Sequence, residues 1–243
     1  MRQTLRVTGE VLLTVGVVTL LFVCYLVWGS GMRAASAQRA FASELNTEWA
    51  QASKGNPGLT ATPGLTATHP ALPERFTVAT GQPFAFIRIP SFGQNWRFAL
   101  IEGTALAQLN VSPGHVPGTQ WPGQIGNFAV AGHRVTSGNP FWSLPSLKPG
   151  DLVDVQTELN DYTYRVIGQQ MVAPDDVNVL DPVPGHPGQQ PTRRLITLIT
   201  CDPAWTGTHR VIVTGVLVSA EERLCTAGSG SGCPGAPTPG PPR

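Results

Sequence analysis

The longest apolar stretch of the chain lies near its start. Residues from Val11 to Met32 include no charged side chain. About 22 helical residues span about 33 Å, which is close to the hydrocarbon thickness of a bilayer. Tyr25 and Trp28 are of the types found at membrane interfaces. The pattern predicts a transmembrane helix over residues 11–32, preceded by a short cytoplasmic tail, residues 1–10.

A cleaved signal peptide is the alternative interpretation, because small residues follow at Ala34-Ala35-Ser36-Ala37. The apolar run is too long for a typical signal peptide, so we expect an uncleaved anchor. Charge alone does not orient it, since two arginines lie on each side: Arg2 and Arg6, Arg33 and Arg39. The short N-terminal tail favours an N-terminus inside and a C-terminus outside the cell.

Residues 33–80 are predicted to be a stalk and linker. Residues 33–53 are rich in Ala, Glu and Gln, and Phe41, Leu45 and Trp49 form a narrow apolar stripe that would pack on the folded domain or on the bilayer. An imperfect repeat, GLTATP then GLTATH, follows at 58–69, and its composition is typical of an extended spacer. Because anchor and spacer bury no core, a protein beginning near Ala71 is expected to fold.

From Pro83 onward the pattern becomes that of a β-domain. Short apolar runs separated by turn residues predict seven strands, at 83–89, 95–101, 127–132, 151–157, 161–173, 195–200 and 210–218. A short helix is predicted at 104–110. Strands and helices do not alternate, so the fold class is all-β and a closed or nearly closed barrel over residues 81–222 is expected. The Gly/Pro-rich tail, residues 223–243, should be disordered.

Composition limits the function classes. The net charge is +1 and charged residues make up 13% of the chain, which does not indicate a nucleic-acid surface. The four cysteines form no framework pattern, and only Cys225 and Cys233 are placed to pair with each other. Asp175, Asp176 and Asp181 are expected in a solvated loop rather than a calcium site, so no metal or cofactor is predicted.

The candidate chemistry lies in TLITCDPAWTGTHR, residues 197–210. Cys201 ends one apolar run and Arg210 begins the next, so neighbouring strands would bring a thiol and a guanidinium together. A fixed cation stabilises a thiolate or a developing oxyanion. The missing base is supplied by His133 in NFAVAGHR, which ends another apolar run.

The ordered set of His133, TLITC and Arg210 resembles the sortase family of Gram-positive cysteine transpeptidases. PGHVPGTQWPGQIGNFAVAGHR and LKPGDLVDVQT look most like the actinobacterial class E branch, and the resemblance covers roughly residues 82–220. It implies an eight-stranded β-barrel, with Cys201 as nucleophile, His133 as acid and base, and Arg210 as oxyanion or substrate contact.

The resemblance also implies the partners. These are surface proteins with a C-terminal LPXTG-like signal (class E favours LAXTG), cleaved between Thr and Gly through a Cys thioester, and a peptidoglycan-precursor or pilin amine as acceptor. The connection 173–192 would close over the signal, with Val177, Val179 and Leu180 as its wall. Thr200 is placed in the same substrate site, although alternation points it to the opposite face, where its hydroxyl should pack or contact the backbone.

Two other classes of protein share part of this pattern. The first is a non-catalytic surface β-domain that binds peptide or cell wall, with Cys201 as a structural thiol that would not react with a thiol probe in the folded state. The second is a peptidoglycan L,D-transpeptidase, which also pairs cysteine with histidine. It is disfavoured because its SxGC-type signature is absent from the sequence.

Overall fold

A single long helix precedes the β-domain. The computed structural model describes residues 2–55 and 74–223. Helix α1 runs without a break over Arg2–Gly55, 54 residues. Its window Arg6–Val23 has a mean hydropathy of 1.8 and is not buried against the rest of the protein, so it is a candidate membrane span by length and composition. The predicted anchor and the predicted stalk are therefore parts of one helix.

The β-domain is a closed barrel of eight strands, as the sequence resemblance implied. The strands are β1 (Pro83–Arg88), β2 (Arg97–Glu102), β3 (Gly114–His115), β4 (Gly126–Ala131), β5 (Leu152–Gln156), β6 (Asn160–Val172), β7 (Arg194–Asp202) and β8 (His209–Glu222). Their order around the barrel is β1-β2-β3-β4-β7-β8-β6-β5. The predicted helix at 104–110 is present as the shorter α2 (Leu106–Leu109).

One strand was not predicted from the sequence pattern. Strand β3 has only two residues and joins β2, in parallel, to β4, in antiparallel orientation. A two-residue strand beside proline and glycine produces no recognisable hydrophobic pattern. The seven remaining strands match the predicted apolar runs, with boundaries that differ by a few residues.

The barrel interior is filled by large apolar side chains from alternate positions of the strands. Its fully buried members include Phe128, Tyr164, Ile196, Leu198 and Val213. The centre of β7 is buried on both faces from Leu195 to Leu198. Burial on both faces explains why the sequence of β7 is nearly continuously apolar rather than alternating.

The second half of α1 packs on the outside of the barrel. Leu45 and Trp49 are buried in a cluster with Phe86 and Ala99, and the Trp49 and Phe86 rings meet edge to face at 5.4 Å. The predicted stripe therefore packs on the domain rather than on the bilayer. Burying two large side chains contributes about 1.5–3 kcal/mol each, so this half of the helix is part of the folded unit.

Gln38 fixes the register of α1 on the barrel. Strand β3 is too short to pair with the whole of β2, so Ala99 has no strand neighbour on that side. The Gln38 Oε1 accepts a hydrogen bond from Ala99 N at 2.8 Å, and its Nε2 donates to Ser112 Oγ at 2.8 Å. Buried backbone groups need partners, and here a helix side chain supplies one.

Three sequence predictions fall outside the described residues. These are the spacer repeat at 58–69, the Cys225–Cys233 pair, and the tail beyond Arg223.

Candidate active site

Strands β7 and β8 bring Cys201 and Arg210 together. The two residues are direct partners in the antiparallel register, and directly opposed residues project from the same face of a sheet. The loop between them contains Gly207, at φ +60°. A Cβ atom at Gly207 would lie 3.6 Å from Cys201 Sγ and 3.8 Å from Arg210 Nη1. Glycine therefore leaves open space between the thiol and the guanidinium.

His133 reaches the same end of the barrel from β4. Strands β4 and β7 are parallel, and Ala131 is the register partner of Ile199. The pairing continues beyond the strand, because Gly132 N donates to Ile199 O at 3.0 Å and Thr200 Oγ1 donates to Gly132 O at 2.9 Å. Extended by two residues, this register would bring His133 beside Cys201 and on the same face.

The imidazole of His133 has one nitrogen without a hydrogen-bond partner in the part of the chain that the structure describes. Its Nε2 is buried and has no hydrogen-bond partner within the described residues. Burial lowers the pKa of His133 below its ordinary value of 6.5, because the charged form loses hydration. Burial therefore favours the neutral ring, in which an unpartnered Nε2 can serve as a proton acceptor.

Arg210 is fixed by its own loop. Its Nη1 donates to Gly207 O at 2.7 Å and to His209 O at 2.9 Å. Two hydrogen bonds on one nitrogen orient the planar guanidinium and leave its other donors for a ligand. A pre-oriented fork of N–H groups is suited to an oxyanion, because no reorganisation is needed when charge develops.

An ion pair ties the two chain segments that carry Cys201 and His133. Arg134 Nη1 donates to Asp202 Oδ1, and the two side chains are 19% and 20% exposed. Arg134 directly follows His133, and Asp202 directly follows Cys201. The guanidinium of Arg134 also lies 5.9 Å from the centre of the Trp142 ring. Sequence patterns did not indicate this ion pair.

Comparison with known proteins agrees with this geometry. The family model described as "Sortase domain" matches residues 87–218. The chain belongs to the sortase family. It is 33% identical over 226 residues to Sortase SrtE1 of Streptomyces coelicolor, covering 90% of this chain and 58% of that protein. Sortase SrtE2 of the same organism is 28% identical, with 90% and 84% covered.

Solved sortase structures show the same barrel. Sortase E from Streptomyces avermitilis is 40% identical and superposes with a TM-score of 0.54, covering 59% of this chain and 93% of that one. Sortase E1 from Streptomyces coelicolor, solved "with tripeptide in the active site", is 36% identical with a TM-score of 0.55, and 60% and 94% are covered. The predicted class E resemblance is thereby confirmed.

Thr200 is buried, at 2% exposed, and its hydroxyl donates a hydrogen bond to the Gly132 carbonyl. Its hydroxyl thus joins β4 to β7 immediately before the sortase cysteine. The contact is of the backbone kind expected for a residue on the opposite face of the strand. The predicted contact of Thr200 with substrate stays a prediction.

The predicted substrate wall lies along the β4–β7 seam rather than beside the thiol. Val179 is buried, and its carbonyl accepts a hydrogen bond from Asn127 Nδ2 at 3.0 Å, near the start of β4. Thr197 Oγ1 donates to Asn127 Oδ1 at 2.7 Å. Val177 is exposed and Leu180 is half-buried in the same short 3-10 helix, Val177–Leu180. Their contact with substrate also stays a prediction.

Two other histidines, His115 and His209, have separate environments. His115 is 1% exposed, and its Nδ1 lies 2.6 Å from Glu102 Oε2 while its Nε2 lies 3.0 Å from Thr119 Oγ1. His209 is exposed, opens β8 and is the register partner of Asp202. Sequence patterns did not indicate the buried Glu102–His115 pair, because its members lie on different strands.

Proposed function

We propose that this sortase is a membrane-anchored cysteine transpeptidase with Cys201 as nucleophile, His133 as general acid and base, and Arg210 as oxyanion donor. One observation carries the proposal. Two chain segments end and a third begins at the same rim of the barrel, where Cys201, His133 and Arg210 supply a thiol, an imidazole nitrogen with no partner among the described residues, and an oriented guanidinium. These are the groups that acyl transfer through a thioester requires.

The proposed first step forms the acyl-enzyme. His133 Nε2 takes the thiol proton, and the Cys201 sulfur attacks the carbonyl carbon of the Thr–Gly bond. Negative charge moves to the carbonyl oxygen, where the free donors of Arg210 stabilise it. The C–N bond breaks as His133 returns the proton to the departing amine. The products are a Cys201 thioester and a peptide that begins with glycine.

The proposed second step reverses the roles. An incoming amine attacks the thioester carbonyl, His133 accepts a proton from that amine, and the sulfur leaves. The thiolate then regains a proton, and a new amide is released. Attack by water in place of the amine would give a carboxylic acid, so exclusion of water decides between transfer and hydrolysis.

The proposed donors are surface proteins with an LPXTG-like signal, with alanine favoured at the second position. Similarity to the Streptomyces class E sortases supports this choice. The proposed acceptors are peptidoglycan-precursor or pilin amines. The chain spans 58% of the length of SrtE1. The candidate span within α1 supports a location on the outer face of the cell membrane, with the N-terminus inside.

Wall-linked proteins provide the test. Mass spectrometry of proteins covalently attached to the wall should show the loss of one set when the gene is deleted, and the chain itself should restore that set. Restoration by a Cys201→Ala chain would contradict the assignment of the nucleophile. An unchanged set of attached proteins after deletion would contradict the proposed transfer to wall amines.

A further inference from the structure

Helix α1 meets the barrel first at its catalytic end. Ala34 is 1% exposed, and its methyl lies 3.7 Å from the point where a Cβ of Gly138 would be. Gly138 belongs to the loop that follows His133. The first turn of α1 beyond the predicted span 11–32 therefore touches the loop of the proposed base.

The helix leaves the barrel at the opposite end. Trp49 packs on Phe86, and the guanidinium of Arg223 lies 4.2 Å from the centre of the Trp49 ring. Arg223 follows the last residue of β8, whose first residues include Arg210. Along α1, the order is thus membrane span, catalytic end, opposite end. The catalytic end is the one that faces the membrane.

The distance from the bilayer to this end is short. The apolar window ends at Val23 and the predicted span at Met32. At about 1.5 Å per residue, Ala34 lies roughly 3 to 17 Å beyond the hydrocarbon along an unbroken helix. The headgroup region occupies about 5–8 Å on each side of a bilayer, so the catalytic end is held at or just above it.

Exposed aromatic side chains lie at this end. Trp142, in the loop after His133, is 52% exposed, and Trp205, in the loop between Cys201 and Arg210, is 81% exposed. Met171, the register partner of Val211 next to Arg210, is 57% exposed. By contrast, Trp96 and Trp121 pack against the barrel core. Tryptophan is enriched at membrane–water interfaces, because its ring is apolar and its N–H is polar.

We infer that the catalytic end of the barrel rests on the headgroup surface of the membrane that holds α1, with Trp142 and Trp205 in contact with lipid. The inference rests on the membrane anchoring proposed above. The occupant is the bilayer because α1 leads into it from this same end of the barrel. The thiol then opens toward the bilayer and reaches peptide segments that emerge from that membrane.

Lipid-borne quenchers provide the test on the full chain. The protein is placed in phosphatidylcholine–phosphatidylglycerol vesicles that carry a headgroup nitroxide, and tryptophan fluorescence is recorded. Trp142→Phe and Trp205→Phe are each expected to remove part of the quenched signal. Trp121→Phe, the matched control at a partly buried position against the barrel core, is expected to leave the quenched signal unchanged. The tryptophans that are not substituted contribute the same background fluorescence to every sample.

A second variant tests the role of α1 as a spacer. Inserting two helical turns after Met32 keeps the face of the helix and raises the barrel by about 10 Å. The Trp142 and Trp205 contribution to quenching should then disappear. Quenching that is unchanged by the insertion would overturn the inference, and so would a Trp142→Phe, Trp205→Phe double variant that is quenched like the parent.

The experiments distinguish a failure of the proposed function from a failure of the lipid-contact inference. A chain that does not float with vesicles lacks the anchor, which overturns anchoring and this inference together. A chain that floats and cleaves a signal peptide, but shows no Trp142 or Trp205 quenching, overturns the inference alone. If a soluble signal peptide shields those residues from acrylamide while headgroup nitroxides do not quench them, the aromatic residues bind substrate, and the lipid contact is wrong.

Discussion

At the scale of residues, Arg210 is expected to act in the reaction more than in the fold. Its Nη1 is held by two backbone carbonyls, which orients the guanidinium toward the space beside Cys201. Arg210→Lys should lower turnover by about a hundredfold or more, the scale for losing a well-placed oxyanion donor. Steady-state kinetics with a signal peptide measures this, and thermal unfolding should hardly change. A loss confined to peptide affinity would make Arg210 a substrate clamp instead.

The Arg134–Asp202 pair is expected to position His133 and Cys201, because each member directly follows one of them. Arg134→Gln and Asp202→Asn should each lower kcat about tenfold or more, and the double variant should lose little beyond either single one. The pKa of His133, followed by NMR, should also move in each variant. Strictly additive losses in a double-mutant cycle would show that the pair does not act as a unit.

Burial of His133 predicts a pH dependence of stability. Because the pKa of His133 is lowered on folding, the unfolded chain binds more protons than the native one as pH falls below 6.5. The free energy of unfolding should therefore decrease below that pH. His133→Gln should remove this part of the decrease in urea titrations. Parallel curves for both proteins from pH 7 to pH 5 would contradict the lowered pKa.

The residue scale also shows what sequence reasoning can reach. His133, Cys201 and Arg210 were predicted because each ends or begins an apolar run, and the structure brings the strand ends together. Arg134 was missed because its partner is 68 positions away. An ion pair between two strand ends cannot be recognised before the register of those strands is known.

At the scale of elements, α1 is expected to stabilise the barrel. Leu45 and Trp49 are 1% and 6% exposed against Phe86 and Ala99. Leu45→Ala and Trp49→Ala should each lower the free energy of unfolding by about 2–5 kcal/mol, while Glu44→Ala, at an exposed position of the same helix, should change it little. Chemical denaturation of a protein beginning at Arg33 measures this.

The same contacts determine the stability expected of a shorter protein. A protein beginning near Ala71 was expected to fold because anchor and spacer bury no core, but it would also lose the half of α1 that covers Phe86 and Ala99. It should therefore be less stable than the protein beginning at Arg33. The stripe itself was visible in the sequence. Its partner was not, because an apolar stripe packs equally well on a protein or on a bilayer.

At the scale of the whole molecule, the pattern of apolar runs predicts the barrel, whereas the order of the strands around the barrel determines where the site residues meet. Seven apolar runs indicated the β-domain, while the order of strands around the barrel depends on long-range pairing that no local pattern specifies. The parallel pair β4–β7 and the antiparallel pair β7–β8 together place the proposed base, nucleophile and oxyanion donor at one rim. Because α1 is continuous, the catalytic end of the barrel is the end nearer to the candidate membrane span.

Trapping the acyl-enzyme tests the central claim most directly. Purified protein is mixed with an LAXTG-type or LPXTG-type peptide, quenched in acid and analysed by intact-protein and peptide mass spectrometry. The account predicts an adduct of the peptide up to its threonine, attached to Cys201, released by hydroxylamine and absent from Cys201→Ala. His133→Gln should form it far more slowly. Peptide cleavage that proceeds in Cys201→Ala, or an adduct on any other residue, would contradict the account.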